Sequence, residues 1–248
     1  PDEARRLVFD LKELGLSPLL MGEVNGIPPE GFDLGNSPTE LNYGLIQEHS
    51  CGVMSTTNGT VALNEAFSAG SPVIAVSFRN LSACLDRALK IGNRIGILCS
   101  GRKKRPSWED TLCAGALLEK LKAHGKILMS DSAKIALTVW QSKTENLLSC
   151  VEKSEHADYL KHIGYGRDII FSCELDASTV VPMLEKEKNN IILKNIEGSA
   201  QPYKEIKNEE LEIKAEKSIM PKPNQSPLTA KDPFEELLES YLSLRREN

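Results

Sequence analysis

The chain has 248 residues, 40% of them hydrophobic, and a net charge of -5. That apolar fraction supports a core and excludes wholesale disorder, and the length fits one large or two small domains. The mild negative charge argues against a nucleic-acid binder, which needs a basic face, but is compatible with a local pocket for a small anion.

Pro1 opens the chain inside a helical pattern, so we expect either a processed start or a gene product that continues upstream. Along the chain, short apolar runs alternate with amphipathic stretches up to about Leu184. Helices are predicted over Pro1–Leu14, Pro38–Gln47, Val61–Ala69, Leu81–Ile91, Trp108–Ala123, Ser130–Gln141, Thr144–Lys153 and Ala157–Ile163. Strands are predicted over Leu19–Glu23, Gly52–Ser55, Val73–Val76, Ile95–Cys99 and Ile169–Cys173. Such alternation predicts a layered α/β/α domain with a mainly parallel sheet, whose strand ends face the ligand-binding loops.

Beyond the domain, taken as residues 1–190, the composition turns to Lys, Glu, Asn and Pro. Residues 191–231 read as a charged linker. Residues 232–248 then predict a tail helix: Asp232 caps it, Pro233 takes its first position, and Phe234, Leu237, Leu238, Tyr241 and Leu244 share one face. That face is available for docking on this protein, on a partner or on a second copy.

The six cysteines are scattered without a CxxC pair, which predicts reduced thiols in a cytoplasmic protein. No run approaches the roughly 18 apolar residues of a membrane span. The four histidines, His49, His124, His156 and His162, lack zinc spacing.

Four segments carry candidate chemistry. In Glu30-Gly-Phe-Asp-Leu-Gly-Asn-Ser-Pro-Thr-Glu40, Ser37, Pro38 and Glu40 form a capping box that predicts a helix from Pro38. Asn36 and Ser37 would present an anion-ready helix end, and Asp33 is a candidate metal ligand and catalytic carboxylate. In the second, Thr56, Thr57, Asn58, Gly59 and Thr60 follow a strand and open a helix, offering the short donors and close backbone that phosphate needs. In the third, Ser107 caps a helix whose first turn holds Glu109 and Asp110, adjacent carboxylates that suit both the helix dipole and a magnesium site. The basic run Arg102–Arg105 before them reads as a solvated loop rather than an anion funnel. In the fourth, Glu23 closes a strand and is a further candidate ligand. Each segment, taken alone, is also compatible with an ordinary capped helix or strand end.

Together these segments resemble the 2-phosphosulfolactate phosphatase family. The resemblance rests on Gly22-Glu23 with Gly26, Glu30-Gly-Phe-Asp-Leu-Gly-Asn-Ser-Pro38, Thr56-Thr-Asn-Gly-Thr60 and Glu109-Asp-Thr-Leu-Cys-Ala-Gly115. It continues through Ser154 and His156, Leu160 and Gly164, the Asp168–Cys173 segment, and Val181-Pro182. The resemblance implies an α/β fold peculiar to the family and a Mg²⁺-dependent phosphomonoesterase that converts 2-phospho-3-sulfolactate to sulfolactate. In methanogens that step belongs to coenzyme M biosynthesis. For such an activity these segments offer Asp33 and Asp110 as the expected catalytic residues, Glu23, Asp33, Glu109 and Asp110 as the expected Mg²⁺ ligands, and Asn36, Ser37 and Thr56–Thr60 as the expected substrate contacts. Three departures stand out: the family's opening strand has no counterpart after Pro1, Arg102–Arg105 is unusually basic, and the tail beyond Asn195 lies outside the family pattern. A phosphatase for another small anionic ester, and a non-catalytic anion binder of the same fold, remain alternatives.

Overall fold

A computed structural model of the chain describes residues 1–143, 146–187 and 190–196. The tail helix expected over residues 232–248 and most of the expected linker lie outside the described residues.

The fold is mixed α/β. Helix α1 (Asp2–Glu13) places Ala4, Leu7, Val8 and Leu11 at helical spacing on one face. That face packs on Leu20 of strand β1 (Pro18–Gly22), Val53 of strand β2 (Cys51–Ser55) and Phe32. All five residues of β1 are buried, as a strand covered on both sides requires. The two strands pair in parallel, with Pro18 opposite Cys51 and Gly22 opposite Ser55. The segment carrying Asp33 joins the other edge of β1, and Leu34 bridges Met21 in parallel.

Helices α2 (Tyr43–Gln47) and α3 (Gly59–Ser68) flank β2 in the chain. A tight turn at Phe78–Asn80 leads into α4 (Leu81–Ile91), then α5 (Trp108–Lys122), α6 (Asp131–Ser142), α7 (Leu147–Val151), α8 (Glu155–His162) and α9 (Gly166–Ser172). Ser107, Ser130, Asn146 and Ser154 cap α5, α6, α7 and α8 through their side-chain oxygens. Strands β3 (Pro182–Glu187) and β4 (Asn190–Asn195) close the described chain as an antiparallel pair. Residues 191–195, read from composition as linker, thus belong to a strand.

Four expectations are corrected. Ile169–Cys173 is not a strand, because Asp168, Ile169 and Phe171 are buried within helix α9. A short apolar run is ambiguous between buried strand and helix. Here Arg79 decides: its Nη1 donates to the Phe171 carbonyl at 2.7 Å and to Glu174 at 2.6 Å, securing the helix end. No helix begins at Pro38. The Ser37 hydroxyl is drawn away from the capping position, and α2 starts instead at Tyr43, where Asn42 Oδ1 accepts from the Leu45 N–H at 2.9 Å. Ile95–Cys99 is not a strand either, and Ile97 packs instead against α5 and α6. The expected strand Val73–Val76 is reduced to an extended edge, in which Ile74 makes one antiparallel bridge to Met183.

Two joints hold the helical half together. Gly115 lets α5 and α6 approach so closely that an added Cβ would lie 2.2 Å from the Ala136 carbonyl and 2.5 Å from Trp140 Cβ. Asp176 covers the start of α4: it accepts from the Ser82 N–H at 2.7 Å and the Ser82 hydroxyl at 2.8 Å, and pairs with Lys120 at 2.8 Å. Partial burial raises the Asp176 carboxyl, but the Lys120 and Ser82 contacts outweigh it and hold it below the usual range.

Gly115→Ala is expected to cost about 1–3 kcal/mol, the range of an overpacked core. The check is a lower urea midpoint at unchanged slope. Asp176→Asn is expected to cost about 1 kcal/mol at neutral pH, as for a lost cap. An unfolded aspartate titrates at about 3.9, above the folded Asp176. Its contribution is therefore complete above that value and disappears as pH falls through the lowered folded value. Denaturation of both proteins between pH 7 and pH 3 should show the difference closing on the acid side.

Candidate active site

The site is built at the carboxyl ends of β1 and β2. Glu23, directly after β1, is 8% exposed. Its Oε2 accepts from the Gly26 N–H and its Oε1 from the Thr57 N–H, both at 2.7 Å. Its own N–H donates to the Ser55 carbonyl at 2.9 Å. One carboxylate thereby ties the turn after β1 to the loop after β2. Gly22 makes the approach feasible, since at φ +150° an added Cβ would lie 1.9 Å from the Ser55 carbonyl oxygen.

Thr56 and Thr60 are bonded to each other. Thr56 Oγ1 accepts from the Thr60 N–H at 3.1 Å, and Thr60 Oγ1 donates to the Thr56 carbonyl at 2.9 Å. This fixes the first turn of α3. Asn58 Oδ1 accepts from the Lys103 N–H at 3.3 Å, so the basic loop reaches the threonine loop.

Glu109 and Asp110, in the first turn of α5, both line a cavity of about 280 Å³. Asp110 also organises the preceding loop, accepting from the Gly101 N–H at 2.7 Å. Further walls come from Val76, Ser77 and Phe78, from α8 through His156, Ala157 and Leu160, and from α9 and its C-terminal cap through Asp168, Ile169, Ser172 and Cys173. Those spacings are helical, so each helix presents a single stripe to the cavity.

His156 Nδ1 is buried without a hydrogen-bond partner. Burial lowers the imidazole below its usual value; Glu109, Glu23 and Asp110 pull it upward and Arg102 pushes it down, leaving it lowered. The thiols nearby are poor nucleophiles. Burial, reinforced by Asp110, pushes Cys113 up to about 12 and also raises Cys99.

The expected site residues separate into three groups. Glu23 and the Thr56–Thr60 loop are joined, and Glu109 and Asp110 share a cavity wall. Asp33 is exposed, and its Oδ2 accepts from the Leu20 N–H at 2.8 Å, fastening its segment to β1. Asn36 is exposed. Ser37 is 4% exposed and donates through Oγ to Asp168 Oδ1 at 2.7 Å, and Thr39 donates to the same oxygen at 2.6 Å. Asp168 is itself 8% exposed. Among the described residues no three His, Cys, Asp or Glu side chains form a group able to hold a metal by themselves.

Sequence reasoning missed Asp168 and His156 as cavity residues. The available signal was a charged residue at the head of an apolar run for Asp168, and a cap two residues before the imidazole for His156.

Comparison with known proteins decides the kinship. The model of the 2-phosphosulpholactate phosphatase family matches residues 3–187. The chain belongs to this family. A probable 2-phosphosulfolactate phosphatase of Pseudothermotoga lettingae is 35% identical over 171 residues, covering 68% of this chain and 72% of the relative. Proteins of the same name are 34% identical in Deinococcus radiodurans, covering 67% of this chain and 69% of the relative, and 36% identical in Synechococcus sp., covering 73% and 76%. The expected family and its enzyme class, a phosphoric-monoester hydrolase, are borne out. In this 2-phosphosulpholactate phosphatase family member no helix among the described residues is long and apolar enough to cross a membrane.

The Glu23 clamp carries a direct expectation. Glu23→Ala leaves the Gly26 and Thr57 N–H groups without their acceptor and is expected to cost about 1–3 kcal/mol. Amide hydrogen exchange at Gly26 and Thr57 should accelerate, while exchange in α6 at matched global stability should not.

Proposed function

We propose that this chain is a Mg²⁺-dependent phosphomonoesterase that hydrolyses 2-phospho-3-sulfolactate to sulfolactate and phosphate. The observation that supports it most is the clamped Thr56–Thr60 loop and the Glu109–Asp110 carboxylate pair at one end of the fold, in a chain of this family.

Within this reading the threonine loop receives the phosphate. Glu23 holds Thr57 in place, Thr56 and Thr60 fix the first turn of α3, and the helix dipole favours the anion. Asn36 borders the substrate, and Ser37 acts through its bond to Asp168 rather than as a helix cap. Asp33 is a positioning residue, because its carboxylate is bonded to β1.

The donor set on the cavity wall fits magnesium. That ion is typically bound by one or two carboxylates with water and phosphate oxygens completing its shell, and Glu109 and Asp110 are two such carboxylates beside an open cavity. Glu23 supports the same region through the loops it joins. Magnesium would neutralise charge on the transferring phosphoryl group. His156 contributes a neutral imidazole to the cavity wall, its Nδ1 buried without a hydrogen-bond partner. The net chemistry breaks the ester linkage to phosphorus and adds the elements of water, giving an alcohol and inorganic phosphate.

Phosphate release from 2-phospho-3-sulfolactate, measured with magnesium and with EDTA, tests the reading. Turnover is expected with the metal and not with the chelator. Asp110→Asn is expected to lower kcat/KM by roughly 100-fold or more, the scale for losing a group that stabilises transition-state charge. Full activity in EDTA, or in Asp110→Asn, would overturn it.

A further inference from the structure

In the loop before α5, three of the four cations are solvated: Lys103, Lys104 and Arg105 are exposed. Arg102 is different. It is half-buried, with its guanidinium 5.1 Å from the centroid of the Tyr159 ring. Tyr159 is itself fixed, because its hydroxyl donates to the Asn25 carbonyl at 2.6 Å. Stacking on an anchored ring restrains a guanidinium while leaving its N–H groups available in the plane.

The loop is shaped to hold this arrangement. Arg102 and Arg105 exchange backbone hydrogen bonds at 3.0 Å in each direction. Between them Lys103 and Lys104 take left-handed conformations at φ 52° and 62°, which side-chain-bearing residues adopt at a cost. The turn is further secured by the Gly101 N–H on Asp110 Oδ2 and the Lys103 N–H on Asn58 Oδ1. Both anchors are residues of the candidate site. The strained hairpin thus has its place set by the carboxylate wall on one side and the threonine loop on the other.

Arg102 also lacks what its counterparts have. Arg79 bonds Glu174 and the Phe171 carbonyl, and Arg5 bonds Asp2 and the Glu30 carbonyl. Among the described residues the Arg102 side chain makes no hydrogen bond or ion pair, although Glu23, Glu109 and Asp110 all act electrostatically on the neighbouring His156. An anchored, uncommitted guanidinium on a hairpin bonded to both Asp110 and Asn58 is suited to a planar or tripodal oxyanion, which it can engage through two N–H groups.

We propose that Arg102 is a specificity residue that binds an oxyanion of the substrate other than the phosphate, a carboxylate or a sulfonate. This rests on the phosphatase reading above for the identity of the ligand. Lys103, Lys104 and Arg105 shape and surround the hairpin without touching the bound molecule.

The test compares three esters: 2-phospho-3-sulfolactate, 2-phospholactate, which lacks the sulfonate, and isopropyl phosphate, which lacks both extra oxyanions. Their binding to the full chain and to its Arg102→Gln variant is measured by calorimetry in EDTA. Arg102→Gln is expected to weaken the binding of 2-phospho-3-sulfolactate by roughly 10- to 100-fold more than that of isopropyl phosphate, the scale of one hydrogen bond to a charged group. Weakening of 2-phospho-3-sulfolactate alone assigns Arg102 to the sulfonate, and weakening of both acids assigns it to the carboxylate. Equal weakening of all three, or no weakening, overturns the proposal. A thermal melt of Arg102→Gln that matches the unaltered chain shows that the comparison is made on a folded protein. Hydrolysis with magnesium is followed separately, so failure of turnover bears on the phosphatase reading and not on Arg102.

Discussion

The site depends on one buried carboxylate. Glu23 stands where β1 ends, and its two oxygens accept from backbone N–H groups of two different loops. A carboxylate withdrawn from water must be compensated by hydrogen bonds, and charge-assisted bonds are the strong ones. The two loops therefore have little freedom to drift apart. The same strand fixes a third loop from its opposite edge, because Asp33 returns both its N–H and its carboxylate to Leu20. Three loops that differ in sequence are thus referred to one short buried strand.

Much of this architecture could be read from the residues. The Ser107 cap placed the start of α5 at Trp108, because a cap is a local interaction between neighbours in the chain. The strand-to-helix passage through Thr56–Thr60 was legible for the same reason. The failures involve long-range bonds. Ser37 satisfies every local requirement of a capping box, yet its hydroxyl is claimed by Asp168, and no neighbouring residue signals that competition. Ile169–Cys173 has the composition of a strand, but Arg79, far away in the chain, secures it as a helix. Asp33 looked like a free carboxylate because its acceptor role toward β1 is invisible without the strand beside it.

The charges at the site alternate instead of accumulating. Glu109 and Asp110 line the cavity, His156 sits beside them neutral by burial, and Arg102, between the hairpin's bonds to Asp110 and Asn58, lies over Tyr159. Such a mosaic explains how a chain of net charge -5 can accommodate an anionic ligand. Opposite charges carried on elements that backbone bonds hold in place keep their separation, so their fields stay available to a guest. The cysteines are compatible with this picture: the thiol of Cys113 on the same wall, pushed up to about 12, remains protonated and adds no further negative charge.

The bond between Ser37 and Asp168 spans 131 positions of the chain. Contacts of such separation are slow to form, since closing a long loop must precede any gain from the contact. During synthesis the segment bearing Ser37 leaves the ribosome long before α9 exists. Until that helix arrives, Ser37 and Thr39 have no buried carboxylate to meet, and the cavity lacks one wall. Assembly of this pocket is therefore a late event, and a nascent chain halted before residue 168 would contain most of the recognisable motif while holding an unfinished pocket.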